Sequence, residues 1–361
     1  MTTFWGRHFG ATKSTPTASQ PGATSAPAAP PAATKVAQVA QVAQPPIAAD
    51  TGTELTPTEI SESFHRFLFA LPVTGEGTGT SSGQAMLKRL ELLSTRFDVR
   101  SLPRLPAVLP QLLRSLKNDT AAGAELAKLV GRDPLMVGEV MRVTGSVHYR
   151  AAQPIGSLRQ AVILLGQEGL HRVVTQLAMM PILQASTGNS THAGELLWEH
   201  AERCAHVCAW LSKSDGGDAF EAYLAGIVSH TGTGAVVRLL RQLLADAPTQ
   251  ALDSSFILEC AALGSKLSLQ AACYWELPER VIAALDENQH PENPAESSLG
   301  RALQVGDVVA MAHLLGDHEV LPVDTDLSTT WPHCYTPANL KRCQTNLRQH
   351  FRAEQMPLPT D

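Results

Sequence analysis

Apolar residues recur at helical spacing through the stretch between residues 102 and 166. They fall three or four positions apart, which is the spacing of one face of an α-helix. The members are Val108, Leu109, Leu112, Leu113, Leu116, Leu126, Leu129, Val130, Leu135, Val140, Met141 and Val143. Pro103, Pro106 and Pro134 break the pattern, because proline cannot occupy a helix interior. The stretch therefore predicts three short amphipathic helices.

A fourth helix is predicted at the end of the same stretch. Ser157 is a favoured N-cap residue, since its hydroxyl can accept a hydrogen bond from a backbone N–H of the first turn. The apolar pattern then runs to Leu165, and Gly166 suits a helix C-terminus because glycine adopts positive φ without strain. Similar patterns predict helices over residues 58–71, 84–97, 169–184, 193–212, 219–228, 252–263, 267–275, 278–285, 299–315 and 337–351.

The composition agrees with an all-helical fold. The 361 residues are 44% hydrophobic but only 5% aromatic, so the core must be built mainly from Leu, Val, Ala and Met. Leu, Ala and Met are strong helix formers, whereas strands favour β-branched and aromatic residues. We therefore predict an all-α, multi-helix bundle. Residues 1–53 are dominated by Ala, Pro, Thr and Gln, which predicts a disordered N-terminal tail.

The charge and the cysteines limit the possible functions. The net charge is −6 and no run of Lys or Arg is present, so we expect no nucleic-acid partner. No apolar run approaches the roughly 20 residues that a membrane-spanning helix needs, and the N-terminus lacks a signal-peptide pattern. We expect no transmembrane segment and a cytoplasmic location. The six cysteines form no C-x-x-C pair and are expected to be reduced thiols.

Several short motifs are more specific than the periodicity. They are LPRLPAV from Leu102, RDP from Arg132, S-x-x-Y from Ser146, PIGSLRQAVILLG ending at Gly166, WEHA from Trp198, FEAYLAGIVSHTG from Phe220 and YWELPERVIAAL from Tyr274. In these motifs the chain resembles the HDOD domain of bacterial signalling proteins, a helical relative of the HD phosphohydrolases. It departs from the family at Gly145, where an Asn usually precedes the Ser.

The resemblance predicts how the chain is divided. The predicted segments are a disordered tail over 1–53, a helical lead-in with a Gly/Thr-rich loop over 54–101, an HDOD-like helical domain over 102–315, and an irregular extension with one helix over 316–361.

The resemblance also implies where an active site would lie. HD phosphohydrolases hold their metal with a His, an adjacent His-Asp pair and a distant Asp, so that the ligands polarise a water against a phosphoester. Matched by motif, His200 takes the first position and Asp307 the last. Without gaps, Ser229 and His230 stand where the pair belongs; a shift of one residue places His230 and Thr231 there instead. Either alignment lacks the carboxylate of the pair.

The degenerate positions are His200, Ser229, His230 and Asp307. We expect no catalytic residue, no cofactor and no bound metal among them. Gly264 stands where a further family histidine is expected, and His290 is a remnant of a histidine-rich loop.

The resemblance implies a non-catalytic regulatory protein that acts through contacts with unidentified signalling proteins. Two alternatives stay open. One is a residual metal-dependent phosphohydrolase. The other is a sensor that binds a nucleotide or cyclic dinucleotide in the old cleft, with Arg132, Arg142 or Arg150 contacting phosphate. The N-terminal FWGRHFG segment is either a docking peptide for a partner or membrane surface, or an apolar start without a role.

Overall fold

The computed structural model describes residues 55–71, 80–95, 127–128, 130–132, 134–145, 155–188, 191–245 and 252–355. Every regular element within these ranges is an α-helix, which confirms the predicted all-α class. The tail predicted over 1–53 and the helices predicted between 102 and 126 lie outside the described residues.

The helices are numbered in chain order. They are α1 (Pro57–Phe69), α2 (Thr80–Thr95), α3 (Pro134–Thr144), α4 (Leu158–Ser186), α5 (Thr191–Ser214), α6 (Ala219–Val228), α7 (Thr231–Ala245), α8 (Ser254–Tyr274), α9 (Glu279–Glu287), α10 (Ser298–Asp317) and α11 (Pro337–Gln355).

Short polar side chains start several of these helices by satisfying backbone N–H groups that have no partner within the helix. Thr56 and Glu59 form a reciprocal capping box at α1. Ser157 accepts a hydrogen bond from the Gln160 N–H, which confirms the predicted start of α4. Gly166 has φ 65° and ψ −177°, so it interrupts α4 between 158–165 and 167–186, where the sequence predicts a helix end.

The hairpin of α5 and α6 lies at the centre of the fold. Asp218 caps α6 by accepting hydrogen bonds from the N–H groups of Phe220 and Glu221. The two helices approach so closely that a Cβ atom on Gly226 would lie 2.5 Å from the Cα of Ala205. Because only glycine permits this approach, Gly226 fixes the crossing that places the end of α6 beside α5.

α10 and α1 pack on further sides of α5. The lead-in helix α1 buries Ile60, Phe64 and Leu68 in the same core as the rest of the bundle. Its Arg66 donates a hydrogen bond from Nη1 to the Leu252 carbonyl oxygen at 3.0 Å, which ties α1 to the start of α8. α1 is thus an integral part of the helical body.

Two predictions about the helices after α6 need correction. The segments 252–263 and 267–275, predicted as separate helices, form the single helix α8, and α7 was not predicted at all. Both errors involve glycines that weaken a local helical pattern. Gly232 and Gly264 lie where α7 and α8 touch, and a Cβ atom on Gly264 would lie 2.9 Å from Thr233 Oγ1. Tertiary packing therefore outweighs the poor helix propensity of glycine here.

Among the described residues, α8 is long and apolar enough by composition to cross a membrane, which the sequence analysis did not anticipate. A core helix passes the same test. α8 packs against α7, α9, α1 and α2, and it buries Phe256, Ile257 and Cys260. All six cysteines are free, as expected.

Candidate functional site

Three side chains that are distant in sequence meet at the centre of the bundle. His200 lies on α5, His230 lies in the turn between α6 and α7, and Asp307 lies on α10. The Nε2 atom of His200 is 3.1 Å from Asp307 Oδ1, and that of His230 is 3.7 Å from the same oxygen. The two imidazole ring centroids are 4.2 Å apart. We call these three residues the His–His–Asp centre.

Hydrogen bonds from α8 hold the turn that carries His230. The Ser268 hydroxyl donates to the Ser229 carbonyl oxygen at 2.7 Å, and it accepts from the Gly232 N–H at 2.8 Å. A single α8 side chain therefore bridges the residues on both sides of His230. This fixes the backbone from which the His230 imidazole reaches α5 and α10.

The geometry shows which residue at the place of the missing His-Asp pair reaches the centre. The Ser229 hydroxyl turns back to the Gly226 carbonyl oxygen at 2.8 Å, so it serves the end of α6 and does not face Asp307. His230 is the residue that joins the centre. Both members of the family's pair hold the metal, so His230 can stand at either place, and both alignments lack the carboxylate of the pair. The Thr231 side chain is fully buried and its hydroxyl has no hydrogen-bond partner.

Burial dominates the electrostatics of the centre. It lowers the pKa of His200 to about 3, and burial together with the neighbouring His200 lowers the pKa of His230 to about 3. Burial also raises the pKa of Asp307. Each shift has the same cause, because a charged group loses its hydration when it is enclosed by protein. Both imidazoles are neutral at pH 7 and keep a nitrogen lone pair.

The contact between α1 and the centre was not predicted from the sequence. The Phe64 ring lies 4.2 Å from the His200 ring, centroid to centroid. The next residue, His65, is also buried, and its Nδ1 is 2.7 Å from the Ser61 carbonyl oxygen. Burial lowers the pKa of His65 to about 4, although the hydrogen bond to Ser61 and the Asp307 carboxylate raise it. The helical stripe of Ile60, Phe64 and Leu68 indicated a buried face, but not what it covers.

The three side chains of the centre offer nitrogen and oxygen ligands to a metal ion. His200 Nδ1, His230 Nε2 and Asp307 Oδ1 are buried without a hydrogen-bond partner, whereas buried polar atoms normally have one. Two imidazoles and a carboxylate are a known ligand set for transition metals. The three residues therefore fit a metal ion as a partial set, and they lack the carboxylate that HD phosphohydrolases supply from the pair.

Other candidate residues lie apart from the centre. His290 is on the surface, with its side chain 70% exposed and Nδ1 3.3 Å from Glu292. Arg142 is exposed on α3 and pairs with Glu139, Arg132 is also exposed, and Arg150 lies outside the described residues. A Cβ atom on Gly264 would already crowd Thr233, so the helix contact occupies the space of the expected family histidine.

Comparisons with known proteins agree with this geometry. A family model described as the HDOD domain matches residues 102–291. Among solved structures, an HDOD domain protein of unknown function from Geobacter sulfurreducens matches with 18% identity and a TM-score of 0.55, covering 76% of this chain and 99% of its own. No curated protein matches the chain significantly.

Two further solved structures share the fold. A Shewanella amazonensis protein provisionally named a phosphohydrolase has 19% identity and a TM-score of 0.52, with 72% of this chain and 95% of its own covered. A Marinobacter aquaeolei protein provisionally named for signal transduction has 16% identity and a TM-score of 0.50, with 83% and 66% covered. At such identities these matches establish the fold alone.

Proposed function

The chain belongs to the HDOD family, and from this premise we propose that it is a non-catalytic regulatory protein of bacterial signal transduction. It acts in the cytoplasm by binding other proteins. The observation that carries the proposal is the composition of the centre, in which His200 and His230 meet the single carboxylate of Asp307. The signalling role is taken from the family and agrees with the provisional name of the Marinobacter relative.

The chemistry of the centre supports the absence of catalysis. Metal-assisted phosphoester hydrolysis needs enough anionic ligands to hold the ion and an open position for water and substrate. Asp307 supplies the carboxylate of the His–His–Asp centre. The hydroxyls of Ser229 and Thr231 are weak neutral ligands for a divalent cation, and neither can replace the second carboxylate.

Access to the centre supports the same conclusion. His200 is fully buried, His230 is nearly so, and the side chain of Asp307 is 19% exposed. Phe64 covers the His200 ring from α1. Phe64 restricts approach to the His200 ring from the side of α1, and α1 is held by its buried apolar face and by Arg66.

The proposal is tested by metal analysis and a phosphodiesterase assay on one sample of the full-length protein. The assay uses bis-p-nitrophenyl phosphate and cyclic dinucleotides with added Mn²⁺ or Fe²⁺. We expect no turnover above that of the His200→Ala and Asp307→Ala variants, and we expect both variants to keep their in vivo regulatory activity. Loss of that activity in variants that remain folded would contradict the proposal.

A second candidate function follows from His230 Nε2 and Asp307 Oδ1, which lie 3.7 Å apart and are buried without a hydrogen-bond partner. They favour a bound ion and hence a residual metal-dependent phosphohydrolase. In that case the ion would polarise a water, while His200, His230 and Asp307 would hold it in place. Stoichiometric metal that disappears in Asp307→Ala, together with turnover, would establish this candidate and overturn the first.

A further inference from the structure

An open groove with a volume of about 360 Å³ lies between α5 and α11, on the surface of the bundle. It is lined by Trp210, Lys341, Arg342, Thr345, Asn346 and Gln349. The groove combines one large aromatic side chain, two cations and three uncharged polar side chains. None of these residues belongs to the His–His–Asp centre.

Helical spacing and two contacts made by His206 position the residues that line the groove. Trp210 follows His206 by one turn of α5, so both side chains point to the same side. His206 Nε2 is 2.8 Å from Asn346 Oδ1, and the His206 ring stacks on that of His350 with centroids 4.2 Å apart. These contacts hold α11 against α5 at one end of the groove. Trp210 packs partly against the core, which limits its motion.

The two cations at the groove are available to a ligand. Lys341 pairs with Asp326 at 3.4 Å, but the two side chains are 63% and 55% exposed, and such surface pairs are weak. Arg342 is exposed and forms no ion pair among the described residues. Because the whole chain carries a net charge of −6, a basic groove is a local departure from its average.

We propose that this groove binds a nucleoside diphosphate. The base stacks on the Trp210 ring, and the phosphates bind Arg342 and Lys341. Aromatic side chains stack on any base, and guanidinium groups form paired, charge-assisted hydrogen bonds with phosphate oxygens. Thr345 and Gln349 lie beside these groups and offer polar contacts to the sugar. The site is independent of the proposed function and of the centre at His200.

Calorimetric titration of the full-length protein tests the site, with ADP and GDP as probes. Adenosine and pyrophosphate serve as the two halves of ADP. We expect ADP and GDP to bind, and each half to bind at least about ten-fold more weakly than ADP, because base stacking and phosphate contacts act together. Trp210→Leu should weaken ADP binding by about ten-fold or more.

Two surface variants complete the test without endangering the fold. Arg342→Gln should weaken ADP binding several-fold and leave adenosine binding unchanged, since it removes a phosphate contact alone. Arg280→Gln is the matched control, because Arg280 is an 80% exposed arginine on α9 and should leave binding unchanged. The proposal is overturned if ADP and GDP do not bind at millimolar concentration, or if Trp210→Leu and Arg342→Gln bind as the wild type does. It is also overturned if His230→Gln alone abolishes binding, which would place the nucleotide at the centre.

Discussion

α5 and α10 face each other across two polar clusters that differ in how their polar atoms are satisfied. In the His–His–Asp centre, three buried atoms lack a hydrogen-bond partner. Further along the same two helices, Arg203 of α5 meets His313 and Asp317 of α10, and these side chains bond to one another. We call this second group the arginine cluster.

In the arginine cluster, each nitrogen of the Arg203 guanidinium donates a hydrogen bond. Arg203 donates from Nε to His313 Nδ1 at 3.2 Å, from Nη2 to Asp317 Oδ2 at 2.8 Å, and from Nη1 to the Glu199 carbonyl oxygen at 3.1 Å. Its guanidinium carbon lies 4.6 Å from the centre of the Phe351 ring. The cluster therefore joins α5, α10 and α11 with few unmet polar groups.

The difference separates a structural cluster from one that, under the proposed function, is left from a metal site. A buried polar group without a partner costs stability, so proteins keep such groups mainly where an ion, a ligand or a reaction uses them. The arginine cluster stabilises the helix packing. The unpartnered buried atoms of the centre are expected to weaken the same packing. Variants in each cluster test this contrast.

Removing the arginine should have the largest effect. Arg203→Met removes two side-chain hydrogen bonds made by a buried cation, to His313 and Asp317. It is expected to lower the free energy of unfolding by about 3 kcal/mol, because each hydrogen bond to a charged group contributes about 1.5–3 kcal/mol. Urea unfolding of the full-length protein measures the change. Arg280→Met, at an exposed position, should change it by less than about 0.5 kcal/mol. A loss below about 1 kcal/mol for Arg203→Met would remove the structural role of the cluster.

The next effect concerns the contact that holds His230. A Cβ atom on Gly232 would collide with the Gly264 carbonyl oxygen, so Gly232→Ala is expected to lower the free energy of unfolding by about 2 kcal/mol. Gly138→Ala is the control, because nothing lies within 4 Å of its added Cβ and alanine favours a helix. Thermal or urea unfolding compares the two. Equal effects would show that α7 and α8 tolerate separation.

An Asp→Asn substitution should change the free energy of unfolding in opposite directions in the two clusters. Asp307→Asn removes a buried carboxylate whose Oδ1 has no hydrogen bond, and is expected to raise the free energy of unfolding by about 1 kcal/mol. Asp317→Asn removes the partner of Arg203 and should lower it. Urea unfolding after dialysis against EDTA measures both variants. A clear loss in Asp307→Asn would indicate that the carboxylate has a partner in the folded protein.

Burial lowers the pKa of His313 to about 4. Asp317 raises this pKa, while Arg203, Arg348 and Arg352 lower it. An unfolded histidine titrates near 6.5. Between about pH 6.5 and pH 4 the unfolded chain therefore binds a proton that the folded chain does not, and stability is lost as the pH falls through this range.

Replacing His313 should produce the smallest effect. His313→Gln keeps an acceptor for Arg203 but cannot titrate, so the stability lost between pH 7 and pH 6 should shrink by less than about 1 kcal/mol. His65, His200 and His230 have lowered pKa values too, so part of the slope should persist. Unfolding at each pH measures the slope. A reduction of the same size in the exposed-site variant His290→Gln would contradict this assignment.

Local chemistry predicted much of the fold. Ser157 and Gly166 marked the start and the interruption of α4, since capping and positive φ depend on neighbouring residues alone. The apolar stripe of α1 was also visible in the sequence. α7 and the continuity of α8 were missed, because Gly232 and Gly264 weaken the local pattern and are explained by a contact between distant segments.

The all-α class and many helix boundaries could be predicted from the sequence alone. The family motifs also predicted that His200 and Asp307 belong to one site. The tertiary structure decided that His230 and not Ser229 joins them, and that Phe64 of α1 covers the centre. The difference arises from the distance along the chain over which each interaction acts. Helical spacing and capping act within a few residues, whereas burial and its pKa shifts arise where segments far apart in the chain exclude water together.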